Sequence, residues 1–180
     1  PFYNSKELEK IKVVKKKKNK FLYISFSYAY KNHLRLIKAF SKAYEKCQVG
    51  ELHLTVDNNN KKLIRIISLY RSRGVPIYNH GTINFKQVTK LYLSSEYLIF
   101  PSTMESFGLP LIDAIHYNCK VLVSDLPFAT AVCIPSFKFD PYDELSIANT
   151  IINSINSDSK KSQLIVKDQT SDLIKLILDG

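Results

Sequence analysis

Short, unbroken apolar runs alternate along this chain with longer stretches in which apolar residues recur at helical spacing. Phe21-Leu-Tyr-Ile24, Glu51-Leu-His-Leu-Thr-Val56, Val75-Pro-Ile-Tyr78, Tyr97-Leu-Ile-Phe100 and Lys120-Val-Leu-Val-Ser124 are rich in β-formers and each reads as a strand. Between them, Leu34, Ile37, Ala39 and Phe40 mark a first amphipathic helix. Leu63, Ile64, Ile67 and Leu69 mark a second, and Phe85 to Leu93 a third. Leu109, Leu111, Ile112 and Ile115 give a fourth, with Pro110 suited to its first turn. Asp143 is placed to cap a helix running to Ile155. Continuous apolar strands are buried on both faces, and strands alternating with helices imply a parallel sheet. The expected fold class is α/β, a doubly wound, Rossmann-like parallel sheet.

Turn chemistry agrees with that order. Gly81 supplies a tight turn after the third strand, and Asn118 stands where a helix-ending glycine is usual. No GxGxxG occurs, which disfavours a dinucleotide redox domain. Ser157 to Lys161 is a polar break, and Gln163 to Leu178 is again amphipathic, a C-terminal helix expected to pack back on the fold. The expected organisation is therefore a basic arm or linker over 1–20, a ligand-binding domain over 21–156, and that helix within 157–180.

Charge changes the picture only at the N-terminal end. Of the formal +10, residues 1–20 contribute +6 through eight lysines against Glu7 and Glu9, leaving +4 for the remainder. Lys15-Lys-Lys-Lys18 reads as a solvated linker, with attraction to an anionic membrane face as the sharper alternative. No nucleic-acid reading motif follows it, so no nucleic-acid partner is expected. The apolar share of 45% is that of an ordinary globular chain, and no apolar run approaches the ~20 residues of a membrane span. Cys47, Cys119 and Cys133 are widely spaced without a CxxC, which suits buried thiols in a reducing cytoplasm. The four histidines are scattered, and no metal site is expected.

The chemistry concentrates in Pro101-Ser-Thr-Met-Glu-Ser-Phe-Gly-Leu-Pro-Leu-Ile-Asp-Ala114, a polar loop between a strand and a helix. In an open α/β sheet, ligands bind at such loops, beyond the carboxyl ends of the strands. A helix start offers unpaired N–H groups and a positive dipole end to an anion. Glu105 projects from the loop and Asp113 lies eight residues on, inside the helix. A carboxylate can accept from two neighbouring hydroxyls, as found on sugar and ribose rings. Lys31, after the first strand, can neutralise phosphate as a point charge. Together these describe a site for a nucleotide-sugar.

Glu105-Ser-Phe-Gly-Leu-Pro-Leu-Ile-Asp113 resembles the E-x7-E motif of the family-4 retaining glycosyltransferases, with Asp in place of the second Glu. The resemblance spans roughly residues 20–156 and matches the C-terminal, donor-binding half of their two-domain GT-B fold. It implies that Lys31, within Lys31-Asn32, contacts the donor diphosphate, together with the backbone around Ser106, Phe107, Gly108 and Leu109. It implies that Glu105 holds the donor-sugar hydroxyls, that Asp113 holds the ribose, and that the loop at Thr82 and Ile83 lies against the nucleobase. Glu105 and Lys31 are then the catalytic pair. Ser25 to Tyr30 lacks the arginine common there, and Ala131 stands where a Glu is common. The family needs no metal or cofactor; its substrate is a UDP- or GDP-linked sugar. Pro1-Phe-Tyr-Asn4 resembles the interdomain connection, so an acceptor-binding N-terminal domain is the expected partner. Work on cell-surface polysaccharide, lipopolysaccharide or glycolipid, at or near the inner face of the membrane, follows from the same resemblance.

Two other classes stay open. A nucleotide-binding or interaction module without transfer activity would keep the same motif. A glycoside hydrolase using Glu105 and Asp113 as acid and base would need both to flank one bond, which a loop residue and a mid-helix residue do poorly.

Overall fold

The structure is a computed structural model and describes residues 15–158 and 160–166. Among these, six strands form one fully parallel sheet. They are β1 (Lys17–Tyr23), β2 (Glu51–Leu54), β3 (Ile77–Asn79), β4 (Ser95–Phe100), β5 (Lys120–Ser124) and β7 (Phe137–Phe139), in the spatial order β3-β2-β1-β4-β5-β7. β6 (Cys133–Ile134) and β8 (Gln163–Leu164) pair as a small antiparallel ribbon beside it. Six α-helices connect the strands: α1 (His33–Cys47), α2 (Lys61–Ser72), α3 (Phe85–Ser94), α4 (Leu109–His116), α5 (Pro127–Thr130) and α6 (Glu144–Asn156). This is the expected doubly wound architecture.

The continuous apolar runs behave as two-sided strands must. Phe21, Leu22 and Tyr23 of β1, Leu98, Ile99 and Phe100 of β4 and Val121, Leu122 and Val123 of β5 are all inaccessible to solvent. Phe21 pairs in register with Leu52 on one side and Tyr97 on the other. Its ring stacks on Tyr97 with centroids 4.8 Å apart, and Tyr23 meets Phe100 edge-on at 5.8 Å. Such pairs add ~0.5–1.5 kcal/mol each to the area they bury. α1 and α6 pack together, and Leu36 and Phe40 of α1 and Ile147 and Ile151 of α6 are buried.

Caps follow the sequence. Asp143 accepts from the Leu145 N–H at the start of α6, and Asn84 with Gln87 closes a reciprocal capping box on α3. Asn118, at φ 56, takes the left-handed conformation after α4.

Several boundaries differ from the sequence reading. β1 begins at Lys17 rather than Phe21, so the last residues of the expected linker belong to the sheet. Lys16 donates to the carbonyls of Ser95 (2.6 Å) and Tyr92 (3.1 Å), Lys17 pairs with Glu51, and the buried Lys20 donates to Ser94 Oγ at 2.9 Å. Asn19, at φ 57, marks the register shift between Lys17 and Phe21, and its N–H donates to Glu96 (2.7 Å). Residues 1–14 of the expected arm lie outside the described residues. Gln163–Leu164 is a strand, not the start of a helix, and the remainder of the expected C-terminal helix lies outside the described residues. Leu34, Leu69 and Leu109, counted on apolar helix faces, are exposed. Leu69 lies two residues, about 200° of turn, from the buried Ile67, which puts it on the opposite face.

Candidate functional site

The strand order fixes where a site can form. From β1 the chain steps outward to β2 and β3, then returns to the other side of β1 for β4, so the order reverses between β1 and β4. The loops leaving their carboxyl ends diverge there and leave a crevice. Lys31 stands on the first of these loops and Glu105 on the second.

Short polar contacts lock the two loops. The buried Tyr23 hydroxyl donates to the Lys31 carbonyl (2.8 Å) and meets Ser102 Oγ at 3.1 Å. The Thr103 N–H donates to the Tyr30 carbonyl (2.8 Å). Residues Ala29–Lys31 form one 3-10 turn, which ends because Asn32 adopts the left-handed conformation at φ 61. The Asn32 amide then donates to the carbonyls of Pro101 (3.1 Å) and Pro141 (2.8 Å), and Arg35 donates to its oxygen (2.7 Å). An asparagine tolerates that conformation and carries both donors and an acceptor, so one residue sets the turn and ties three loops.

This frame brings the two expected catalytic residues together. Lys31 Nζ donates to Glu105 Oε1 at 2.6 Å, with side chains only 14% and 10% exposed. The ammonium also lies 5.2 Å from the Tyr30 ring centroid and 5.9 Å from that of Phe100. Ring faces attract a desolvated cation and offset part of the cost of removing it from water.

Gly108 caps α4 with φ 75, a left-handed conformation that lets the loop turn into the helix. No acidic side chain occupies the first turn and no side chain caps it, so its backbone N–H groups keep their electropositive character. Ser106, Phe107 and Leu109 around it are exposed. Asp113 is half-buried one turn on, and burial pushes its carboxyl up to about 6, an effect that His116 partly opposes.

A cleft of about 320 Å³ opens beside Lys31. Lys31, Thr82, Ile83 and Pro110 line it, so three of the expected residues share one cavity with the first turn of α4. Glu105, Ser106, Phe107, Gly108, Leu109 and Asp113 are not among its walls; Glu105 reaches it through its bond to Lys31. The remaining walls went unrecognised in the sequence: Ile24, Ser25 and Phe26 after β1, Thr55 and Asp57 after β2, Gly81 after β3, and Val88 on α3. Their common signal is position, since most of them follow the carboxyl end of a strand. Thr82 Oγ1 donates to Asp57 Oδ2 at 3.3 Å.

A second unforeseen feature supports the loop at 80–83. His53 and His80, far apart in sequence, meet at 2.8 Å (Nδ1 to Nε2), and His53 Nε2 lies 2.9 Å from Glu51. Burial lowers the pKa of both rings, that of His53 to about 4, so a neutral His53 can accept from His80 while donating to Glu51. The His80 N–H donates to the Leu54 carbonyl (2.9 Å), which ties this loop to the end of β2. Among the described residues, no group of three His, Cys, Asp or Glu side chains is placed to hold a metal ion, and no helix is long and apolar enough to cross a membrane.

Comparison with known proteins places this geometry in a wider set. The family model described as glycosyl transferases group 1 matches residues 4–170. An O-antigen chain mannosyltransferase, RfbU of Salmonella typhimurium, is 28% identical over 156 residues, 84% of this chain and 42% of that protein. A capsular polysaccharide biosynthesis glycosyltransferase, CapH of Staphylococcus aureus, is 31% identical over 138 residues, 69% of this chain and 36% of that protein. This chain thus spans less than half the length of either relative. Among solved structures, S. aureus TarM, crystallised with UDP among its ligands, superposes with a TM-score of 0.67 at 15% identity, over 82% of this chain and 31% of its own. The catalytic domain of a cholesterol-α-glucosyltransferase from Helicobacter pylori gives 0.62 at 16% identity, covering 78% of this chain and 87% of that domain. At such identities these likenesses establish the fold.

Proposed function

The chain belongs to the glycosyl transferases group 1 family, and on that footing we propose that it is the donor-binding part of a retaining glycosyltransferase that uses a nucleoside-diphosphate sugar. The observation that carries this reading is the Lys31–Glu105 pair, held at the point where the strand order reverses and beside a cleft of ligand size.

Breaking a sugar–phosphate bond leaves negative charge on the departing diphosphate and positive character on the sugar. In the proposed complex, the Lys31 ammonium and the N–H groups at 107–109 face the diphosphate as preorganised donors. Glu105 turns from Lys31 to the hydroxyls of the donor sugar, and Asp113 accepts from the ribose. Asp is one methylene shorter than Glu, so it approaches the ribose from closer to the helix axis. The base lies in the cleft against Thr82 and Ile83. The two relatives act in O-antigen and capsular polysaccharide synthesis, which supports a cell-surface glycan as the product of the whole enzyme. An acceptor-binding domain completes the cleft, and the protein works at the cytoplasmic face of the membrane. Lys16 and Lys17 are engaged within the fold, so attraction to anionic lipid rests on Lys15 and Lys18.

Calorimetric titration of the chain with UDP, GDP, ADP and their hexose derivatives tests the reading. Binding of at least one nucleotide is expected. The absence of heat and of chemical-shift change with all of them at millimolar concentration would refute the donor site.

A further inference from the structure

The cleft walls also carry a carboxylate that the donor reading does not use. Asp57 leaves the carboxyl end of β2 and lines the cleft beside Thr55 and Thr82. It is half-buried and rigidly held: Oδ1 accepts the Asn59 N–H at 2.6 Å, Oδ2 accepts from Thr82 Oγ1 at 3.3 Å, and the Asp57 carbonyl accepts the Asn60 N–H at 3.0 Å. A carboxylate oxygen has two lone-pair sites, so each still has capacity for one more donor.

The cleft is directional. Lys31 is drawn toward the β4 side by Glu105, whereas Asp57 is drawn toward the β3 side by Thr82. Ile24, Ile83, Val88 and Pro110 supply apolar wall in the same cleft. A ligand that suits this arrangement carries an anion at one end and a flat, largely apolar ring at the other. The ring edge that reaches Asp57 must present donors, because an ionised carboxylate only accepts.

On this basis, and resting on the donor-site reading above, we infer that Asp57 selects guanine as the donor nucleobase. Guanine places N1–H and N2–H₂ side by side, a pair of donors that matches two carboxylate oxygens in a bidentate, charge-assisted contact. Uracil presents N3–H between two carbonyl oxygens, so a carboxylate there meets an acceptor beside every donor. Adenine offers one amino group next to an acceptor nitrogen. A site built to receive hydrogen bonds rejects analogues that leave its polar groups unpaired. Two structural neighbours were crystallised with UDP, but at 15% and 20% identity they bear on the fold and not on this chain's base.

Calorimetric titration of the 180-residue chain with GDP, IDP, UDP and ADP tests the inference without a variant. GDP should bind at least tenfold more tightly than UDP or ADP. IDP, which keeps N1–H and lacks the 2-amino group, should bind at least fivefold more weakly than GDP. Asp57→Asn should weaken GDP and bring GDP and UDP to within about twofold of each other, with UDP binding at least as tightly as to the parent because the amide can donate to a uracil carbonyl. Thr82→Val, which frees Oδ2, should reduce the preference in part. UDP binding as tightly as GDP, or IDP matching GDP, would overturn guanine selection and leave the donor site standing. No binding by any of the four would instead overturn the donor site itself.

Discussion

Asp113 offers the sharpest conflict between stability and function, and Asn at this position isolates it. Burial pushes its carboxyl from the ordinary 3.8 up to about 6. At 1.36 kcal/mol per pH unit, that corresponds to ~3 kcal/mol by which the folded chain disfavours the ionised form. The group keeps partial access to solvent, so screening reduces the effect to ~1–2 kcal/mol. The sign follows from linkage. The folded state holds this proton more tightly than the unfolded state, so the penalty is fully present above about pH 6. It fades as pH falls toward 4 and vanishes below the unfolded pKa. Asp113→Asn should therefore raise stability by ~1–2 kcal/mol at pH 7.5, and the gain should shrink between pH 6 and 4. Urea denaturation of both proteins at pH 7.5, 6 and 4 measures it directly. Calorimetry on the same samples should show weaker binding of nucleoside diphosphates, because in the proposed complex the amide replaces a charged acceptor for the ribose. A gain that is absent at pH 7.5, or equally large at pH 4, would refute the electrostatic account of Asp113.

Removing Glu105 should separate the sugar from the nucleotide. Glu105→Ala should weaken a nucleotide-sugar by ~10- to 150-fold, the effect of a lost charge-assisted hydrogen bond, yet leave the parent diphosphate unchanged or tighter, because Lys31 loses its competing partner; equal losses for both ligands by calorimetry would contradict the assignment. Gly108→Ala forces φ 75 on a residue with a Cβ that would meet Leu111 Cδ1 at 3.2 Å. It should cost ~1–2 kcal/mol, lowering Tm by about 3–6 °C, and a thermal melt within 1 °C of the parent would contradict this. The 180-residue chain should bind donor without transferring sugar, since orienting the acceptor supplies ~7–11 kcal/mol of barrier lowering. Incubation with radiolabelled UDP- and GDP-hexoses and a membrane lipid extract checks this, and robust transfer by the chain alone would show that the acceptor site is already present.

What the sequence revealed and what it concealed divide along the range of the interactions. The stretch from Tyr97 to Ala114 was readable because strand, loop, cap and helix each depend on neighbours within a few residues. The sheet was readable because strands covered on both faces must be continuously apolar. Lys17-Lys-Asn-Lys20 could not be read as strand, since the Lys17 ammonium, the Asn19 N–H and the Lys20 ammonium pair with Glu51, Glu96 and Ser94, which lie 34 to 77 residues away. Asp57 and Thr55 were hidden for a similar reason. Nothing local marks them, and only the parallel register of β2 beside β1 and β3 brings their loop to the cleft. β6 and β8 hold two residues each, too few for any periodicity to show.

The Lys31–Glu105 pair is a stable part of the fold, and the same features suit the ligand site proposed for it. Two nearly buried charges without partners would each cost several kcal/mol, whereas paired at 2.6 Å they present no net charge to the surrounding core. Tyr30 and Phe100 lie near the ammonium, and the Tyr23 hydroxyl fixes the backbone that carries it. The lysine is thus preorganised before any ligand arrives. A diphosphate that replaces Glu105 as its partner needs little reorganisation of the loop, and the freed carboxylate becomes an acceptor beside the same cleft. Ligand binding then exchanges one charge-assisted contact for two. In the proposed complex, that gain is available only to a molecule carrying a diphosphate and vicinal hydroxyls together, so free sugar, which lacks the anion, should find Glu105 still occupied.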